Sequence, residues 1–191
     1  MKKQNNQSIF FVPWAVAAVA LGVAVSVHGK LGVTILDRPR DVESKPYTDL
    51  SSFYDHYLKE HRDPTCRVLH VIGTSLVILT ALLRHTQVVA HLSIGVAGGL
   101  FLCEYLSPLP NGLIEFAAVF IIAALSGSLL QPQEKFPWQL LVMGYLPAWI
   151  GHFFFEDNRP ATFIYPTYSL LCDFRMWYQM IKGDLSWSER I

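Results

Sequence analysis

The sequence predicts an all-α fold, a polytopic membrane helical bundle with a short amphipathic helix before its core and an N-terminal anchor helix. Hydrophobic residues make up 52% of the 191 residues and charged residues only 16%, which is a low charge content for a soluble globular protein. Several apolar runs approach the length of about 20 residues that a helix needs to cross a bilayer. Turn-forming residues separate these runs, as expected between consecutive membrane helices.

Length and charge narrow the class of protein further. A chain of 191 residues is long enough for one domain and hardly for two. The formal net charge is zero, so no strongly basic surface indicates a nucleic-acid partner. Three cysteines are an odd number without paired spacing, which argues against a disulfide framework.

The first apolar run, Ser8 to Val27, predicts an anchor helix. Lys2 and Lys3 precede it as in a secretory signal, but no small-residue cleavage site follows it. A linker of mixed Gly, Pro and charged residues continues to residue 49. The predicted organisation is therefore an anchor helix and linker over 1–49, and a multi-helix membrane domain with a histidine-rich site over 50–191.

The elements of the second region follow from capping and breaking residues. Asp49 and Ser52 can cap a short amphipathic helix that runs through Glu60. Pro64 ends that helix, because proline lacks an amide donor and clashes with the preceding turn. The apolar runs then predict four spans: Thr65–Leu83, Val88–Leu106, Leu113–Leu130 and Phe136–Phe155, the last of them kinked at Pro147. The aromatic tail after Asp157 is predicted to lie at the membrane interface.

Counting spans places three histidines at one membrane face. Each span carries the chain to the other side of the membrane, so His61, His70 and His152 fall on the same side. Of the 15 Lys and Arg residues, those on the opposite side are Lys2, Lys3, Arg84 and Lys135. The positive-inside rule therefore puts the histidine face in the cytoplasm, or in the matrix for a mitochondrial inner membrane.

These histidines have the pattern of a metal site. His61 and His70 would lie on nearly opposite faces of one unbroken helix, and the break at Pro64 lets their rings converge. His152 and Glu156 are four residues apart, so Glu156 can ligate a metal or orient the imidazole. Three histidines with a carboxylate and an open position fit ferrous iron or catalytic zinc. A single histidine at this depth is more typical of an interfacial hydrogen-bonding residue.

Other charged residues are candidates for substrate contact. Arg67 can pair with a substrate carboxylate, although a lipid headgroup, Glu60 or Asp63 would serve equally well. Glu104 is ionisable and near membrane depth, which points to function, while solvation at the adjacent turn is an equal alternative.

At these residues the chain resembles the 2-hydroxy fatty acid dioxygenase family of fungal phytosphingosine degradation and its relatives. The resemblance covers roughly residues 50 to 180. The motifs that carry it are Phe53-Tyr54 followed by Tyr57, Glu60-His61 with Pro64, Arg67-x-Leu69-His70-x-x-Gly73-Thr74, the turn from Leu106 to Gly112, and Ile150-Gly151-His152-x-x-x-Glu156-x-x-Arg159-Pro160-Ala161.

The resemblance implies a membrane protein of the endoplasmic reticulum that uses Fe(II) and molecular oxygen. The family reaction shortens a 2-hydroxy fatty acid by one carbon and releases carbon dioxide. The resemblance further implies that His61, His70 and His152 hold the iron, with Glu156 as a catalytic residue, a further ligand or an outer partner. Arg159, in the last motif, is an additional candidate for substrate contact.

Two alternatives remain open at this stage. The chain can be a non-catalytic accessory subunit of a membrane complex, such as a respiratory assembly, that retains this fold and attaches through its N-terminal helix. It can also be a zinc-dependent hydrolase of membrane lipids, which the identity of the metal would decide.

Overall fold

The computed structural model describes residues 45–84, 86–130 and 136–191, apart from the side chains at 84, 86, 87 and 104. The predicted anchor over Ser8–Val27 lies outside these residues. The described part is helical and contains no strand. Its elements are α1 (Leu50–Lys59), α2 (Pro64–Arg84), α3 (Thr86–Tyr105), α4 (Leu113–Leu130), α5 (Gln139–Gly151), a π-helical turn (His152–Glu156), a 3-10 turn (Ala161–Phe163) and α6 (Pro166–Lys182).

Helix α1 is the predicted amphipathic helix. The Asp49 carboxylate caps it by accepting hydrogen bonds from the backbone N–H groups of Ser51 and Ser52. Phe53, Tyr54 and Tyr57 are buried on one side of the helix. Because α2 begins at Pro64, the chain changes direction between the two helices, as the sequence predicts.

Helices α2 and α5 run side by side in opposite directions. A side-chain carbon added at Gly73 would lie 2.8 Å from the carbonyl oxygen of Gly144, so the two backbones are in direct contact. Further along, the Thr80 hydroxyl lies 3.8 Å from the sulfur of Met143. Small residues permit this close approach, as is common where membrane helices cross. The pairing sets the start of α2 beside the end of α5.

Helix α6 lies in the aromatic tail, for which the sequence predicts a position at the membrane interface. The helix packs against α1, α2, α3 and α4. Tyr168, Cys172, Met176 and Met180 are buried, and their four-residue spacing places them on one face of α6. The tail therefore closes one side of the bundle.

Two described helices are long and apolar enough to cross a membrane, Pro64–Leu83 and Leu113–Leu130. A shorter apolar helix covers Val88–Cys103. The bounds of α4 are those that the sequence predicts, and α2 agrees to within one residue at each end. Their outward faces carry exposed leucines, such as Leu79 and Leu129, which suits contact with lipid.

Candidate metal centre

Three histidine rings meet where the start of α2 lies beside the end of α5. The ring centroids of His61 and His70 are 4.5 Å apart, those of His61 and His152 are 4.6 Å apart, and those of His70 and His152 are 5.1 Å apart. The exposed fractions of His61, His70 and His152 are 0%, 6% and 2%. Residues far apart in sequence thus form one buried cluster, as predicted from span counting.

Two local irregularities of the chain bring the rings together. His61 lies in the turn between α1 and α2, just before the Pro64 break. His152 is the first residue of the π-helical turn that ends α5, and Asp157 follows this turn with a φ of 54°. A π turn adds a residue to the helical cycle and redirects the side chains after it, and such turns are frequent at functional sites.

Each histidine uses its Nδ1 atom for an orienting hydrogen bond. His61 Nδ1 lies 2.6 Å from the carbonyl oxygen of Tyr57, and His70 Nδ1 lies 2.6 Å from an Asp173 carboxylate oxygen. Both partners can only accept, so each Nδ1 carries the proton and donates it. Each Nε2 atom therefore keeps a free lone pair.

The partner of His152 is fixed by a second set of hydrogen bonds. The Asn158 Nδ2 group donates to the carbonyl oxygen and to the carboxylate of Glu60, both at 2.9 Å. The Oδ1 atom of Asn158 consequently faces His152 Nδ1, at 2.7 Å, and accepts its proton. The third imidazole thus has the same tautomer as the other two.

The Nε2 atoms of His61 and His70 are buried without a hydrogen-bond partner among the described residues. An unsatisfied buried polar atom is costly, and a metal ion would satisfy both of these lone pairs. The ligand atoms of His61, His70, His152 and Cys66 all lie within 4.8 Å of one another. Outer hydrogen bonds of the kind made by the three Nδ1 atoms are characteristic of metal-binding histidines. The donor set therefore fits a transition-metal ion.

Electrostatics keeps His61 in its ligating form. Burial, together with the neighbouring rings of His70 and His152, lowers the pKa of His61 well below its ordinary value of 6.5. The imidazole is therefore neutral at physiological pH. A neutral imidazole is the form that binds a metal.

Asp173 is a candidate site residue that the sequence did not indicate. Besides His70, its carboxylate accepts hydrogen bonds from the hydroxyl groups of Thr74 and of Tyr57, the latter at 3.2 Å. Asp173 comes from α6, 103 positions after His70. The sequence signal that could have indicated Asp173 is a single acidic residue next to Cys172, in a helix whose buried residues recur every four positions.

We expect Asp173→Asn to weaken metal binding about 10- to 100-fold, the usual effect of removing an outer partner of a metal-binding histidine. The amide can present only one acceptor oxygen, so three donors compete for it. The measurement is a chelator competition titration. Asp184→Asn is the matched control, because Asp184 is exposed and its carboxylate pairs with Lys182. Equal affinities of the two variants would contradict the assigned role.

The structure places the other predicted site residues around the cluster. Glu156 Oε1 accepts a hydrogen bond from the backbone N–H of Asp63, and the carboxylate is not among the clustered ligand atoms. Burial raises the pKa of this carboxyl group. Arg159 is exposed in the loop after the π turn. Glu104 lies in the last turn of α3, and its side chain is outside the described atoms.

Arg67 is fully buried, and both terminal nitrogens of its guanidinium donate to backbone carbonyl oxygens. One terminal nitrogen donates to the carbonyl oxygens of His61, at 2.9 Å, and Arg62, at 2.7 Å. The other donates to those of Ser186, at 3.1 Å, and Glu189. These contacts favour a structural role, joining the C-terminal segment to the turn before α2, over the predicted contact with substrate.

A cavity of about 340 Å³ opens beside the histidines. His70, His152, Tyr57, Thr74 and Asp173 line one part of it. Most of the remaining lining is aliphatic or aromatic and comes from α2, α3 and α5. The site thus combines the candidate metal centre with an apolar cavity.

Fold and site together define a helical, apolar protein with a buried three-histidine centre next to an apolar cavity. The chain belongs to the Mpo1-like family, whose description is 2-hydroxy-palmitic acid dioxygenase Mpo1-like, and the match covers residues 47–185. This result confirms the resemblance seen in the sequence. Neither a curated protein nor a solved structure matches the chain significantly.

Proposed function

We propose that this protein is a membrane-bound, Fe(II)-dependent dioxygenase that shortens 2-hydroxy fatty acids by one carbon. One observation carries the proposal: three buried imidazoles cluster beside an apolar cavity that His70 and His152 line, and the Nε2 atoms of His61 and His70 have no hydrogen-bond partner among the described residues. The family's description supports the same substrate class. A metal that binds the polar end of a lipid would need both imidazole ligands and an adjacent apolar cavity for the hydrocarbon chain.

The proposed reaction balances without an external reductant. The bond between the carboxyl carbon and the hydroxyl-bearing carbon breaks, the carboxyl carbon leaves as carbon dioxide, and the hydroxyl-bearing carbon becomes a new carboxyl group. One dioxygen accepts the four electrons released, and one water forms. Ferrous iron, when bound, supplies the activation of dioxygen and the redox chemistry.

The chain's own residues have distinct roles in this proposal. His61, His70 and His152 hold the iron through Nε2, and Asp173 and Asn158 keep the rings of the latter two in place. Glu156 is the proposed acid–base group outside the ligand cluster: it lies in the same π turn as His152, its carboxylate accepts a hydrogen bond from the backbone N–H of Asp63, and burial raises its pKa.

The predicted polytopic arrangement, with an N-terminal anchor before the bundle, stays part of the proposal. The two helices of spanning length and the exposed leucines on them support a position in the membrane. We propose the endoplasmic reticulum, with the mitochondrial inner membrane as the alternative, and the histidine centre on the cytoplasmic or matrix side.

The test is turnover by the full-length protein, loaded with Fe(II) under low oxygen and then exposed to air. The substrate is 2-hydroxypalmitate labelled with carbon-13 in its carboxyl group. We expect labelled carbon dioxide and pentadecanoate in equal amounts, with one dioxygen consumed for each. An iron-loaded protein that consumes no dioxygen in the presence of this substrate would overturn the proposal.

Cys66 favours a second candidate function. Its sulfur lies with the three histidine nitrogens, and four protein ligands would close a tetrahedral zinc site. A closed site has no position for a substrate, so the protein would then be a non-catalytic accessory subunit of a membrane complex. Tightly bound zinc and co-purification with stoichiometric partner subunits would support this candidate over the dioxygenase.

A further inference from the structure

The cavity beside the histidines follows the pair formed by α2 and α5. On α2 its lining includes His70, Thr74, Val77 and Ala81, which succeed one another along one face of the helix. Ala81 lies three helical turns beyond His70, roughly 16 Å at the α-helical rise. The cavity therefore extends from the histidines well into the bundle.

The antiparallel register of the two helices gives the cavity a defined far end. His152, at the end of α5, lies beside His70, whereas Leu140, near its start, lies in a buried apolar cluster with Ala81 and Val88. Phe136 packs against the same cluster. Ala81, Leu140 and Phe136 also line the cavity, at the opposite end from the histidines.

The two ends differ in chemistry. The histidine end carries the Asp173 carboxylate and the unsatisfied Nε2 atom of His70. Towards the far end, the Ser93 hydroxyl is satisfied by the carbonyl oxygen of Val89 in its own helix. No Lys or Arg lines the cavity within the part of the chain that the structure describes. The shape suits a ligand with one polar end and a long hydrocarbon tail.

We propose that this cavity is the channel for the acyl chain of the substrate and that Ala81, Phe136 and Leu140 set the chain length accepted. The inference rests on the proposed function for the identity of the polar end. In this arrangement, the head of the fatty acid lies at the histidines and the tail reaches the apolar cluster. Each methylene of the acyl chain that is buried in the channel strengthens the binding of the fatty acid about fourfold.

The test measures equilibrium binding without oxygen, so that no turnover occurs. Radiolabelled 2-hydroxylaurate, 2-hydroxypalmitate and 2-hydroxylignocerate are the probes, with the full-length protein in detergent. We expect Ala81→Phe to weaken the binding of 2-hydroxypalmitate at least ~10-fold, because several methylenes of its chain can no longer enter the channel. The binding of 2-hydroxylaurate should be nearly unchanged. Leu82→Phe is the matched control, because it adds the same ring at a neighbouring position that is 44% exposed.

A second variant acts in the opposite direction and does not depend on a larger side chain being tolerated. Phe136→Ala should lengthen the channel and strengthen the binding of 2-hydroxylignocerate relative to that of 2-hydroxypalmitate. If both variants fold and leave the chain-length profile as in the wild type, the channel assignment is wrong, even if turnover is normal. If the profile shifts as expected while no substrate is turned over in air, the channel stands and the dioxygenase proposal fails.

Discussion

Replacing His70 or His152 by alanine is expected to remove bound metal and to abolish turnover. Each substitution deletes one of three imidazoles whose ligand atoms lie within 4.8 Å of one another. The loss should exceed the roughly 100-fold effect of removing an outer partner, because a ligand itself is lost. The measurements are metal content after dialysis and the rate of carbon dioxide release from 2-hydroxypalmitate.

His56→Ala is the matched control for these variants. His56 lies on α1, close in sequence to His61, but its ring stacks on Tyr47 with the centroids 4.9 Å apart. This variant should retain its metal and its rate. A His70 variant that kept full metal content and full activity would show that the cluster is not the metal centre.

Arg67→Met is expected to lower the free energy of unfolding by about 3 kcal/mol, because one buried and three partly buried carbonyl oxygens would lose their donors. The guanidinium joins the carbonyl oxygens of His61 and Arg62 to those of Ser186 and Glu189. Methionine keeps the apolar stem of the side chain and removes the guanidinium with its donors and its charge. Thermal unfolding in detergent measures the effect, and proteolysis should cut the C-terminal segment sooner.

Arg62→Met provides the comparison for this prediction. Arg62 is exposed, and its Nε atom makes a local hydrogen bond to the carbonyl oxygen of Lys59 at 3.0 Å. Its replacement should change stability by less than ~1 kcal/mol. If Arg67→Met were equally harmless and instead impaired substrate binding alone, the predicted contact with substrate would be the better account of Arg67.

The sequence was most informative where the cause was local. The apolar run Leu113–Leu130 became α4 with the same bounds, because nothing within it competes with a helix. Pro64 made the turn that lets His61 and His70 meet, since the effect of proline on the preceding helix does not depend on its surroundings. The clustering of the three histidines agrees with the expectation drawn from the order of the predicted spans.

The parts that could not be predicted depend on tertiary contacts. Asp173 contacts His70 because α6 packs into the bundle. Polar residues next to the buried face of α6 obscure the four-residue spacing of that face in the sequence. The sequence could not show whether the Arg67 guanidinium faces substrate or backbone carbonyls. The π turn at His152 has no reliable sequence signal. The sequence also could not show that the Glu156 carboxylate contacts the backbone N–H of Asp63 and lies outside the clustered ligand atoms.

The most direct test of the metal centre is elemental analysis of the full-length protein purified under low oxygen. Three clustered imidazoles beside an apolar cavity, two of them with an unpartnered Nε2 atom, predict about one iron per chain, bound strongly enough to survive dialysis. Zinc at one per chain, with no iron binding after its removal, would contradict the dioxygenase and support the four-ligand site that includes Cys66. A stable protein that binds neither metal would contradict the metal centre itself.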